Sequence, residues 1–184
     1  MIHILENEYL SLAFDDELLR VTSLRNKATG DDYIKKDRAA PLCRLICIQV
    51  GGNTRREFVP CRLARVGVAP RGKGQVLAID LASVTDGQRE LPVRLQIRIE
   101  LGAHDGESLW HLAVHNETAD MQVVEILFPM LRGIYLGPMW EDDVLIYPHH
   151  AGEKTVAPIR EYTSERYQRF WRAQTHRDGE LWWR

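Results

Sequence analysis

Leu91-Pro92-Val93-Arg94-Leu95-Gln96-Ile97-Arg98-Ile99-Glu100-Leu101 decides the fold, because it alternates apolar and polar side chains from Val93 onward. A period of two puts Val93, Leu95, Ile97, Ile99 and Leu101 on one face of a strand and Arg94, Gln96, Arg98 and Glu100 on the other. That is the pattern of an antiparallel sheet with one wet side. Working outward, Gln75 to Ser83 and Ser108 to His115 read as neighbouring strands, set off by the turn-formers Thr85-Asp86-Gly87-Gln88 and Ala103-His104-Asp105-Gly106-Glu107. Tyr9 to Phe14 and Leu18 to Leu24 form a hairpin about Asp15-Asp16-Glu17. Leu42 to Val50 pairs with Phe58-Val59 and Cys61 to Val68 across Gly51-Gly52-Asn53. No stretch places apolar residues at i, i+3, i+4 and i+7 over three turns, so helices are expected to be few and short. The fold class is therefore all-β, an antiparallel β-sandwich. Leu12, Leu24, Ile46, Ile97, Ile99, Leu112 and Val124 occupy the apolar phase of their strands and are expected in its core.

The chain has 184 residues, 45% of them hydrophobic, which suits one domain spanning 1–184 and is too short for a sandwich plus a catalytic barrel. A formal charge of −2 gives no electrostatic reason for a nucleic-acid partner. Three cysteines, Cys43, Cys47 and Cys61, have neither the pairing of a disulfide framework nor the spacing of a zinc site. The opening Ile2-His3-Ile4-Leu5-Glu6-Asn7-Glu8 lacks the basic start and apolar run of a secretory leader, and no run reaches membrane-spanning length. A cytoplasmic protein without a membrane partner is expected. The last residues, Leu181-Trp182-Trp183-Arg184, stop inside an aromatic strand pattern, as a truncated fragment would.

Leu5 to Phe14, with Val21-Thr22-Ser23-Leu24-Arg25-Asn26-Lys27-Ala28-Thr29-Gly30 after it, resembles the first hairpin of galactose-mutarotase-like super-sandwich domains. Trp110 to Asn116, Val124 to Pro129 and Asp142 to Glu153 resemble the N-terminal part of bacterial glycoside-hydrolase-like proteins. The resemblance implies a non-catalytic leading domain that supports carbohydrate binding or an adjacent catalytic domain, which would follow residue 184. Two other readings stand beside it: a stand-alone aldose epimerase, and a carbohydrate-binding or assembly module without catalysis.

The residues themselves agree with a non-catalytic role. Glycoside hydrolysis needs two carboxyl groups held across the scissile bond, and no such pair is identifiable. Glu100 and Glu125 fall in strand patterns and are expected on a wet face. Glu141-Asp142-Asp143 offers oxygen ligands but lacks calcium-loop spacing, so it is read as a solvated turn. His111 and His115 lie four apart on a strand, about 13 Å at the usual rise, too far for joint metal ligation. No metal or cofactor is expected.

One segment combines features found nowhere else. An aperiodic stretch from Pro148 to about Arg166 opens with His149-His150-Ala151-Gly152-Glu153, and long irregular loops are often functional. His149, His150 and Glu153 could hydrogen-bond sugar hydroxyls while Trp140, Tyr147 or Trp171 offers an apolar surface to a pyranose face, so these six are the ligand or domain-contact candidates. Arginines interleaved with aromatics from Arg160 to Arg172 fit a protein contact better than nucleic acid. A final hairpin is expected around Asp178-Gly179.

Overall fold

The computed structural model describes residues 1–34, 40–104, 106–134, 139–147 and 153–163, with backbone alone at Trp140, Tyr147, Glu153, Ile159, Tyr162 and Thr163. The chain divides into two units, Met1–Ile134 and Tyr135–Arg184.

The first unit is built from antiparallel strands, as the alternating sequence requires. A three-stranded sheet contains β1 (Ile2–Glu6), β2 (Leu10–Asp15) and β3 (Arg20–Asn26) in that order. A seven-stranded sheet has the order β10-β4-β5-β6-β8-β9, with β7 paired to β6. Its members are β4 (Arg44–Gln49), β5 (Arg55–Arg71), β6 (Gly74–Thr85), β7 (Glu90–Leu91), β8 (Val93–Leu101), β9 (Ser108–Asn116) and β10 (Met121–Leu127). The 17-residue β5 pairs with β4 over Arg55–Phe58 and with β6 from Val59 onward, and three register shifts between Pro60 and Arg65 interrupt the β5–β6 ladder. Bulges of this kind bend a strand and let one sheet curl.

Between the sheets, Leu5, Leu12, Phe14 and Val21 join Leu45, Cys47, Phe58, Leu77, Ile79, Leu95, Ile97 and Ile99 in a single apolar cluster. Each fully buried aliphatic side chain contributes about 1.5–3 kcal/mol relative to exposure. The architecture is thus a sandwich, held at one end by Asn7, whose Nδ2 donates to the Gly102 carbonyl at 2.7 Å. The Asn26-to-Gly30 motif forms the expected turn. Asn26 Oδ1 accepts from the Ala28 amide at 2.9 Å, and Gly30 adopts φ 81°, a left-handed conformation that glycine takes without a Cβ penalty. The Phe128–Pro129 peptide is cis.

Several expectations need correction. β1 is a strand that the sequence pattern did not mark. Val124 is not in the core but 43% exposed, because the β10–β4 register shifts between Val123 and Glu125 and throws it outward, while Val123 packs inward. Leu24 and Leu112 are half-buried at the margin of the core rather than within it.

In the second unit, a 3-10 turn at Trp140–Asp142 precedes a hairpin of β11 (Val144–Tyr147) and β12 (Glu153–Val156), followed by a short helix α1 (Pro158–Thr163). The stretch read as aperiodic therefore contains a strand and a helix. Ala157 joins them at φ 50°, its amide donating to the Asp143 carbonyl at 2.8 Å. The hairpin expected around Asp178-Gly179 lies outside the described residues.

Candidate functional site

The hairpin register partly assembles the residues singled out in the sequence. Tyr147 and Glu153 are cross-strand partners at the last pair of the β11–β12 ladder. They flank the connection that carries His149 and His150, which lie outside the described residues, as does Trp171. Trp140 precedes the opposite end of the ladder, where Val144 pairs with Val156, about 10 Å away at the usual strand rise. The backbone thus gathers Tyr147 and Glu153 at one end and leaves Trp140 at the other. Glu141 and Asp142 are exposed in the 3-10 turn, as a solvated acidic turn should be.

A second polar constellation occupies the solvent face of β5, β6, β8 and β9 in the first unit. Register sets side chains in rows across it: Gly67, Ala78, Arg98 and His111 in one, Arg65, Asp80, Gln96 and Ala113 in the next, then Arg94 beside His115. Small residues at Ala64, Ala78 and Ala82 lower the middle of the face. A shallow concavity of about 330 Å³ results, lined by Ala64, Asp80, Ala82, Arg94, Gln96 and His115. Arg98 Nη1 donates to Asp80 Oδ1 at 3.1 Å and to its own neighbour's carbonyl at Ile97 at 3.0 Å. Arg94 is paired with Glu117, and Arg71 Nη1 with Glu100 at 3.0 Å. Glu125 is likewise on a wet face, 3.6 Å from Arg55. Across neighbouring strands Arg98 lies beside His111, Asp80 beside Gln96 and Arg94 beside His115, a mixture of donors and acceptors suited to the hydroxyls of a sugar. Among the described residues, no group of three or more His, Cys, Asp or Glu is placed to hold a metal.

Other ionisable groups are engaged in fastening turns. Hydrogen bonding to Arg89 holds the Asp120 carboxyl below its ordinary range, and Arg89 approaches both its oxygens, at 2.9 and 3.1 Å. For Asp86, burial pushes upward, but the amides of Arg89 and Gln88 and the charge of Arg56 outweigh it and bring the carboxyl down. Burial pushes the Cys43 thiol up to about 12 and raises Cys47 as well, whereas Cys61 is exposed.

Sequence reasoning took His111 and His115 as strand residues opposite the row Trp110, Leu112 and Val114, and the structure places them so. What it missed was their company, Asp80, Gln96, Arg94 and Arg98. The polar phase of Val93–Leu101 was the available signal, but the pairing that sets Asp80 beside Gln96 is long-range. No family model matches the chain, and no curated protein or solved structure gives a match.

Proposed function

We propose that this chain is the non-catalytic sandwich domain of a cytoplasmic glycoside-hydrolase-like protein, supporting carbohydrate binding or an adjacent catalytic domain. The observation that carries the reading is the Arg98–Asp80 pair set on the solvent face of β6 and β8, beside a floor of alanines. A guanidinium and a carboxylate fixed against one another present donors and an acceptor in a set geometry, so little ordering remains to be done when vicinal hydroxyls arrive. The same pairing argues against acid–base work on this face. Asp80, Glu100 and Glu117 are each tied to an arginine, whereas hydrolysis uses two carboxyls free to face the glycosidic bond. Among the described residues no helix is long and apolar enough to cross a membrane.

Amide chemical-shift titration with a panel of neutral and acidic mono- and oligosaccharides tests the binding half. Shifts should concentrate on β6, β8 and β9, and Asp80→Asn or Arg98→Ala should weaken binding at least tenfold, about 1.4 kcal/mol. Saccharides that shift nothing, or that shift both variants as they shift the parent, would remove this face from consideration. For the enzymatic half, the coding sequence beyond residue 184 should encode a catalytic domain with paired acidic residues.

A further inference from the structure

The nine residues of β9 pair with β8 without a single register shift, and among the described residues no strand pairs with the other side of β9. Alternate residues of an antiparallel strand aim their N–H and C=O groups outward, so β9 presents a row of backbone donors and acceptors to any second strand. Such edges are normally guarded by charge, proline or a bulge. The opposite edge of this sheet, β10, has both a bulge and Glu125, and β3 carries Arg20 and Arg25. From Ser108 to Asn116 there is no lysine, arginine, aspartate, glutamate, proline or glycine.

Burial shows the same incompleteness independently. Leu95, Ile97 and Ile99 on β8 have no exposed surface, while their partners Val114, Leu112 and Trp110 on β9 are only half-buried. The core-facing apolar row thus runs out to the edge, where Phe128 meets the Trp110 ring edge-on at 6.3 Å and, among the described residues, no further strand continues it.

We propose that two copies of this chain pair antiparallel through β9, across a two-fold axis at Leu112, to form one continuous sheet. Leu112 is the middle residue of the strand, so this register uses its whole length. Leu112 meets its own equivalent, and Trp110 lies opposite Val114 of the second copy, a large side chain beside a smaller one on the core row. On the outer row Leu109 meets His115, and His111 meets Ala113. The ends match Ser108 to Asn116, both able to hydrogen-bond. No position sets a like-charged side chain against itself at neutral pH, and every apolar residue finds an apolar or imidazole neighbour. This self-match selects a second copy over a foreign strand, and a two-fold contact closes instead of propagating.

Sedimentation equilibrium on residues 1–184, with amide hydrogen exchange across a concentration series, tests the pairing. The parent chain should self-associate reversibly, and alternate amides between 108 and 116 should exchange more slowly as concentration rises. Ala113→Lys, at an exposed outer-row position, should raise the dimer Kd at least tenfold with unchanged circular dichroism. Leu109→Lys, at a position 59% exposed, repeats the test at the end of the strand if the first variant folds poorly. A chain that stays monomeric throughout, or a dimer whose Kd neither lysine moves, would overturn the proposal.

Discussion

Ile97 and Val124 make a matched test of the core, because the sequence assigns both to it and the structure keeps only one. Ile97 has no exposed surface and sits in register between Ile79 and Leu112, in the middle of β8. Ile97→Ala removes roughly three buried carbons, about 2.4 kcal/mol of transfer free energy at about 0.8 kcal/mol each. A residual void of roughly 60 Å³ adds about 1.4 kcal/mol at ~24 cal/mol per Å³, for a total near 4 kcal/mol, inside the ~2–5 kcal/mol range for such truncations. Val124→Ala, at the half-open β10 bulge itself, should cost only about 0.5 kcal/mol. Urea unfolding followed by tryptophan fluorescence and far-ultraviolet circular dichroism measures both, and equal slopes are required for the comparison. A loss below ~1 kcal/mol for Ile97→Ala, or equal losses for the two variants, would refute the assignment of faces.

Three further outcomes follow from the same structure. A Cβ placed on Gly74 would lie 2.1 Å from the Leu101 carbonyl oxygen, so Gly74→Ala must displace backbone and should lower stability by about 1–3 kcal/mol in the same urea assay. Because the carboxyls of Asp86 and Asp120 are held below their ordinary value of 3.8, they stabilise the fold above that value, and the contribution is lost as pH falls through their lower folded-state values. The melting temperature should therefore drop on acidification below about pH 4, and less steeply in Asp120→Asn. Thiol labelling of the native chain at neutral pH should modify Cys61 first and leave the buried Cys43 and Cys47 until denaturant is added, with rapid native labelling of Cys43 counting against its burial.

The strand framework was legible where local pattern and tertiary placement agree. Val93–Leu101 alternates, and its apolar phase is buried as read. In β1, by contrast, Ile2 and Ile4 are about half exposed while His3 and Leu5 turn inward, so the more apolar residues are on the wet side and the alternation is masked. Val124 failed for a different reason. One extra residue in β10 inverts the phase, and a bulge leaves no signature in a single sequence. The candidate sites divide in the same way. Tyr147 and Glu153 were chosen for their chemistry, and the β11–β12 register sets them opposite each other; the polar face around Asp80 and Arg98 depends on pairing between strands far apart in sequence, which residue types alone do not specify.

Strand β5 belongs to both parts of the curled sheet, meeting β4 through Arg55–Phe58 and β6 from Val59 onward. Neither part can come apart without stripping one side of the same strand, which makes Arg55–Arg71 the hinge of a single cooperative transition. Amides on β4 and on β8 should then exchange through a common opening of equal free energy instead of two local ones. Assembly carries the reciprocal cost in time. The β5–β6 and β8–β9 hairpins can zip from their turns, but the sheet gains its last edge only when Met121–Leu127 returns to Arg44–Gln49 across most of the intervening chain. Closing so long a loop is expected to come late and to set the pace, as it does in topologically non-local proteins.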